Sequence, residues 1–204
     1  MMGGMTKPPI VTIVGTSRPG NFTRHALAVV EDQLSRLDAQ LARFDAADLT
    51  LSFPGHPETP DADRLREAVA AAAGVVLASP EYHGTFCAMT KLIIENLGFP
   101  SALAGRPVAL LGVAAGRIGA VKSVEHLRGV CAHVGALVVP SAVSVAGVRA
   151  AFDEDGRVRD AGTEAALRGL ATSLIEFMKT YVCPRYTLEA MARGETVEPW
   201  TTTV

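Results

Sequence analysis

The sequence predicts an α/β fold: a five-stranded parallel sheet of strand order 2-1-3-4-5, doubly wound with helices on both faces. Three observations carry this. Short β-branched apolar runs alternate along the chain with longer segments in which apolar residues recur at helical spacing. The strand segments are apolar throughout, as strands buried on both sides are, rather than alternating between apolar and polar. The length, 204 residues, gives room for one sizeable domain with a real core.

The elements follow in order. Ile10 to Val14 is a continuous apolar strand, and Phe22 to Leu37 follows it as a helix. Gln40 to Phe44 gives a weaker second strand. Residues 51–63, LSFPGHPETPDAD, form a Pro- and Gly-rich loop. From its end a helix runs over Asp61 to Ala73, its first turn acidic and so favourable to the helix dipole. Gly74 to Pro80 is a third buried strand that stops at its proline. Ala88 to Leu97 is helical, Gly105 to Ala114 contains the fourth strand, and Ala120 to His133 is the fourth helix. Gly135 to Pro140 is the fifth strand. After the turn signal DEDGR a final helix covers Ala161 to Tyr181. Residues 7–182 thus form one domain, Met1 to Thr6 a loose leader, and residues 183–204, with the only tryptophan, Trp200, a C-terminal extension.

Composition narrows the function classes. A formal charge of -2 shows no basic excess that would suit nucleic acid. No apolar run reaches the ~18 residues of a membrane span, and MMGGMTKPP lacks the apolar core of a signal peptide. Cys87, Cys131 and Cys183 are far apart and odd in number, which supports neither a disulfide framework nor a zinc site and fits a reducing cytoplasm. His126 and His133 stand two helical turns apart, ~10 Å, too far to clamp one metal. A lone Cys87 is expected to serve packing.

In a doubly wound sheet, ligands sit at the carboxyl ends of the strands beside the point where strand order reverses. The loops after strands one, three and four are therefore the ones to read. The first, GTSRPGNFT, ends at a helix start whose unpaired amides and dipole welcome an anion. Ser17, Asn21 and Thr23 add short donors, Gly15 and Gly20 permit close approach, and Arg18 adds full charge, a set that fits a phosphate monoester. The alternative is that Ser, Thr and Asn only cap the helix. The second loop, SPEYHGTF, is stiffened by Pro80 and opened by Gly84, so that its backbone can meet the edge of a heterocycle while Tyr82 and His83 pack beside it. The third, GVAAGRIGA, is small enough to let a flat ring lie against backbone. Other phosphate and nucleophile motifs fail. There is no G-x-G-x-x-G, GRIGAVKS has Val121 where a Walker A loop needs glycine before Lys122, and Pro19 stands where a nucleophile elbow needs glycine.

Together these loops resemble the NADPH-dependent FMN reductase family of flavodoxin-like folds, which includes quinone, azo-dye and chromate reductases. GTSRPGNFT stands in the place of that family's G-S-x-R-x-x-S/N loop, SPEYHGT...K in the place of P-E-Y-N-x-S...K, and AAGRIGA with HLRGVCAHVGALVVP resembles the fourth loop, helix and fifth strand. The likeness reaches to about Tyr181. It implies bound FMN, NADPH or NADH as donor, a small-molecule acceptor such as a quinone or flavin, and a homodimer or homotetramer in which residues 183–204 would pack on a partner subunit. Ser17, Arg18, Asn21 and Thr23 would hold the FMN phosphate; Pro80, Glu81, Tyr82, His83 and Gly84 would line the ring and ribityl; Ala115, Gly116, Arg117 and Gly119 would border the ring from the other side, Arg117 adding an electrostatic contribution. Hydride would pass through flavin N5 in ping-pong fashion, with no proton-transferring residue required. Two departures stand out: His83 where many members have Asn, and Cys87-Ala88 where they have Pro-Gly. A flavodoxin-type electron carrier and a cofactor-free signalling domain are the competing readings. The first tends to be strongly acidic, and the second wants acidic residues after strand one, where Gly15 stands.

Overall fold

Each central strand must satisfy two layers at once, and the side-chain alternation divides accordingly. The computed structural model, which describes residues 9–194, shows how. In β1 (Ile10–Val14), Ile10 and Val14 join one apolar cluster, while Val11 and Ile13 join the other. β3 (Gly74–Tyr82) and β5 (Pro107–Val113) repeat the division: Val76, Ala78, Ala109, Leu111 and Val113 on the first side, Val75, Leu77, Val108 and Leu110 on the second. Helices α1 (Phe22–Arg36) and α6 (Ala161–Phe177) cover the first face through Leu27, Val30, Leu34, Leu167, Leu170 and Leu174. The second is covered by α2 (Pro60–Ala71), α3 (Ala88–Asn96) and α4 (Val121–His133). Burying one such aliphatic side chain contributes about 1.5–3 kcal/mol, so the two layers hold the sheet between them. Cys131 sits in the second layer, where burial pushes its thiol up to about 12. Among the described residues, no helix is long and apolar enough to cross a membrane.

The parallel order is β2 (Leu41–Asp45), β1, β3, β5, β6 (Leu137–Val138), which is the expected 2-1-3-4-5. The strand count differs: the sheet has seven segments rather than five. The expected fifth strand, Gly135 to Pro140, is cut short at β6 and resumes as β7 (Val143–Val145), both parallel to β5. Val108 pairs with Val138 and Leu111 with Val143, so the outer strand carries two extra residues across this gap. Pro140 falls inside it and has no N–H to offer a ladder.

The third strand does not stop at Pro80. It runs on to Tyr82 and folds back as a hairpin with β4 (Thr85–Phe86). Pro80 is tolerated because residues along a strand point their amides alternately left and right. Ala78 O, on the β1 side, accepts the Gly15 N–H at 2.7 Å. Pro80 points to that same side, two residues beyond the last β1 pair, where no ladder bond is due. The final helix also departs from its expected end at Tyr181. A π-helical turn over Met178–Val182 carries α6 into α7 (Cys183–Ala192), whose second residue is Pro184. The wider turn takes up the mismatch of a proline that cannot donate to the preceding turn. Trp200 and Met1 to Thr6 lie outside the described residues.

Candidate functional site

The chain leaves β1 toward β2 on one side, while β3 lies on the other, so strand order reverses between β1 and β3. At their carboxyl ends a cleft of about 300 Å³ opens. The three loops singled out by the sequence converge there: Arg18 to Thr23 from the first, Pro80, Glu81 and Tyr82 from the second, and Val113, Ala114 and Ala115 from the third.

The first loop turns on Gly15 and Asn21. A Cβ on Gly15 would stand 2.4 Å from Thr90 Oγ1 and 2.6 Å from Ala78 O, so only glycine lets the chain pass between β3 and α3. Asn21 is the N-cap of α1: its Oδ1 accepts from Arg24 N at 2.8 Å and its Nδ2 donates to Arg18 O at 2.8 Å. The capping reading therefore holds for the Asn21 side chain, which shapes the loop beneath Arg18. Arg18 and Thr23 are different. The Arg18 guanidinium has no ion pair or hydrogen bond, and the Thr23 hydroxyl no partner, among the described residues. Ser17 is exposed and lies outside the cleft lining, while Thr16 beneath it accepts the Arg18 N–H at 3.3 Å.

In the second loop, Glu81 lines the cleft but turns its carboxylate to α4, where Oε2 accepts the Ser123 N–H at 3.1 Å. Ala120, the N-cap of α4, makes no side-chain cap bond, so Glu81 does that work from β3. His83 and Gly84 form the two-residue hairpin tip, at φ 52° and 79°, and do not line the cleft. Two successive positive φ angles are the type I′ requirement. Histidine, like asparagine, accepts that region more readily than most residues, which accounts for His83 at this position.

The third loop is held by the protein itself. Gly116 O accepts N–H groups from Gly119 at 3.2 Å and Gly147 at 3.0 Å, and Ser144 Oγ accepts Ala120 N–H at 2.7 Å. Gly119 has φ +81°, and a Cβ there would meet Ser144 Oγ at 2.6 Å. Only Ala115 of the four residues expected here reaches the cleft; Gly116, Arg117 and Gly119 do not line it.

Sequence reasoning missed the part of the cleft wall that lies outside the three loops, Val148 and Arg149 on the short helix α5 (Val148–Ala151). The Phe152 ring packs 6.1 Å from that of Phe22, which sets α5 beside the first turn of α1. Like Arg18, the Arg149 guanidinium is exposed and has no ion pair among the described residues. Nothing in AGVRAAF marks it, because a single arginine on one helical turn carries no periodic signal.

A family model described as NADPH-dependent FMN reductase matches residues 8–150. The chain belongs to this family. Among other family relatives it is 30% identical to a quinone reductase of Escherichia coli, covering 85% of this chain and 96% of that one. It is 29% identical to an NAD(P)H-dependent FMN reductase of Pseudomonas aeruginosa, over 74% and 84% of the two chains, and 29% identical to an NADPH azoreductase of a Bacillus strain, over 85% and 92%. Of solved structures, the flavoenzyme NAD(P)H:(acceptor) oxidoreductase FerB of Paracoccus denitrificans superposes with a TM-score of 0.69 at 21% identity, over 86% of this chain and 99% of its own. An archaeal flavodoxin superposes at 0.57 and 14% identity, over 84% and 98%, and these two likenesses place the fold among flavodoxin-like α/β sheets.

Proposed function

We propose that this FMN reductase family member is an NAD(P)H-dependent oxidoreductase that carries FMN in the cleft and reduces quinones, flavins or other small acceptors. One observation carries the reading: Arg18 and Arg149, without protein partners among the described residues, share a cleft with the start of α1 and with walls built from two other loops. The donor set fits the group. A dianionic phosphate monoester calls for guanidinium groups and helix-terminal amides, and a planar ring calls for flat walls such as Pro80, Tyr82, Val113, Ala114 and Ala115.

When bound, FMN supplies hydride acceptance and release at N5 of its ring. This chain's residues do the rest. Arg18, the Thr23 hydroxyl and the α1 amides hold the phosphate, and Arg149 reaches it from α5. Asn21 fixes the loop that carries Arg18. Pro80, Glu81 and Tyr82 border the ring, and the His83-Gly84 tip keeps them on a rigid hairpin. Ala115 borders it from the β5 side, in a loop that Gly116 and Gly119 hold in shape. NAD(P)H and the acceptor occupy the open side of the cleft in turn, and positioning near contact distance supplies the catalytic advantage. The enzyme acts in a reducing cytoplasm, in keeping with Cys87, Cys131 and Cys183 being far apart in sequence and odd in number. It assembles as a homodimer or homotetramer.

The competing reading is an electron carrier of flavodoxin type, and the reductase names of the relatives weigh against it. Steady-state oxidation of NADPH by the purified, FMN-loaded protein in the presence of a quinone separates the two. Sustained turnover is expected. A protein that takes up FMN but oxidises NADPH no faster than free FMN does would be a carrier.

A further inference from the structure

The departure at Cys87-Ala88 places polar groups beneath the first loop. Cys87 Sγ stands 2.8 Å and Thr90 Oγ1 2.7 Å from the carbonyl oxygen of Gly15. Ser79 Oγ lies 2.9 Å from Thr90 Oγ1 and accepts the Cys87 N–H at 3.3 Å. Thr90 and Ser79 are wholly buried and Cys87 nearly so. A carbonyl can only accept, so both the thiol and the threonine proton turn to Gly15 O and fill its two lone pairs. The knot thereby ties three elements together: the end of β1, the cleft end of β3, and the first turn of α3.

That anchoring has a directional effect. The peptide joining Gly15 to Thr16 is planar and trans, so with the carbonyl held toward α3 the Thr16 N–H points the opposite way. No protein acceptor meets this N–H among the described residues, although Thr16 is only 2% exposed. A buried amide without a partner is uncommon and costly, which marks it as a donor kept for a ligand. It stands two residues before Arg18, where the part of the loop that lines the cleft begins.

We propose that Cys87 and Thr90 are positioning residues for the phosphate end of the cofactor: by holding the Gly15 carbonyl they aim the Thr16 amide and set the course of the phosphate loop. This rests on the reading of the cleft as an FMN site. It ties affinity for the phosphate to two α3 side chains that never touch the cofactor.

Flavin-fluorescence titration of the apoprotein with FMN and, separately, with riboflavin tests it. Thr90→Val, which keeps the shape and removes the hydroxyl, is expected to raise the FMN dissociation constant about tenfold, the weight of one hydrogen bond, while moving riboflavin by less than about twofold. Thr90→Ser restores FMN binding, and Cys87→Ala, a smaller change that also stands in should Thr90→Val not fold, weakens FMN about threefold with the same selectivity. Equal weakening of FMN and riboflavin would mean packing alone, and unchanged FMN binding in both variants would mean that the knot positions nothing; either overturns the proposal while leaving the FMN site intact. A wild-type protein that binds both flavins equally overturns the cleft reading and this proposal with it.

Discussion

The loops after β1 and β5 are both glycine-rich and both stand at the carboxyl ends of sheet strands, yet they use their polar groups in opposite ways. The β5 loop is closed on itself: Gly116 O takes two amides, Ala120 N–H goes to Ser144 Oγ, and Arg117 does not line the cleft. The β1 loop is closed only on its inner side, through Gly15, Thr16 and Asn21, and its outer side leaves Arg18, the Thr16 amide and the Thr23 hydroxyl without protein partners among the described residues. Elsewhere on the surface arginines are mostly paired, Arg24 with Asp45, Arg43 with Glu31 and Arg168 with Asp32 and Glu164. Glycine content therefore says little about ligand binding. The unpaired donors next to the glycines say more.

Substitutions can break or sharpen this contrast. The largest effect is expected at Gly15→Val, because one of the atoms its Cβ meets is the backbone oxygen of Ala78, which cannot swing aside. Chemical denaturation should show a loss of about 3 kcal/mol, accompanied by loss of FMN; wild-type stability would mean that β3 and α3 leave room for a side chain there. Next comes Arg18→Ala. Removing a charge-assisted contact to phosphate is worth about 2 kcal/mol, so FMN retention through gel filtration should fall about thirtyfold with the melting temperature little changed. Unchanged retention would move the phosphate elsewhere. Gly119→Ala sharpens the comparison from the other loop: its positive φ and the 2.6 Å approach to Ser144 should cost about 1–2 kcal/mol of stability, whereas the folded fraction should bind FMN as wild type does. A selective loss of FMN affinity there would erase the distinction between the loops. The smallest effect is expected for Arg117→Ala, within about 0.5 kcal/mol in stability and about twofold in FMN affinity.

Much of this was legible in the chain. The parallel sheet followed from apolar runs buried on both sides and its order from right-handed crossovers in a doubly wound chain of this length, and the first loop stood out because its short polar residues and an arginine crowd a helix start. What stayed hidden depends on neighbours far away in sequence. The need for glycine at position 119 is set by Ser144, and Pro80 is allowed inside a strand because the β1 ladder has already ended beside it. The sequence assigns Asn21 to the phosphate with capping as the alternative, and only its bonds to Arg24 N and Arg18 O decide for the cap. β4, β7 and α5 are two to four residues long, too short for any period to register, and Arg149 was lost with α5. Ser17, one of the two hydroxyls chosen from the loop, faces solvent while the adjacent Thr16 is buried, a one-residue phase that backbone geometry sets.

The central claim is that guanidinium groups and amides at one end of the cleft enclose a phosphate, and phosphorus NMR of the FMN-loaded protein across its second ionisation, near pH ~6 in free solution, tests it most directly. The account predicts a displaced resonance that stays put from pH 5 to 8, because cations hold the group as a dianion throughout that range. A resonance that titrates with the shift and midpoint of free FMN would place the phosphate in solvent and contradict it.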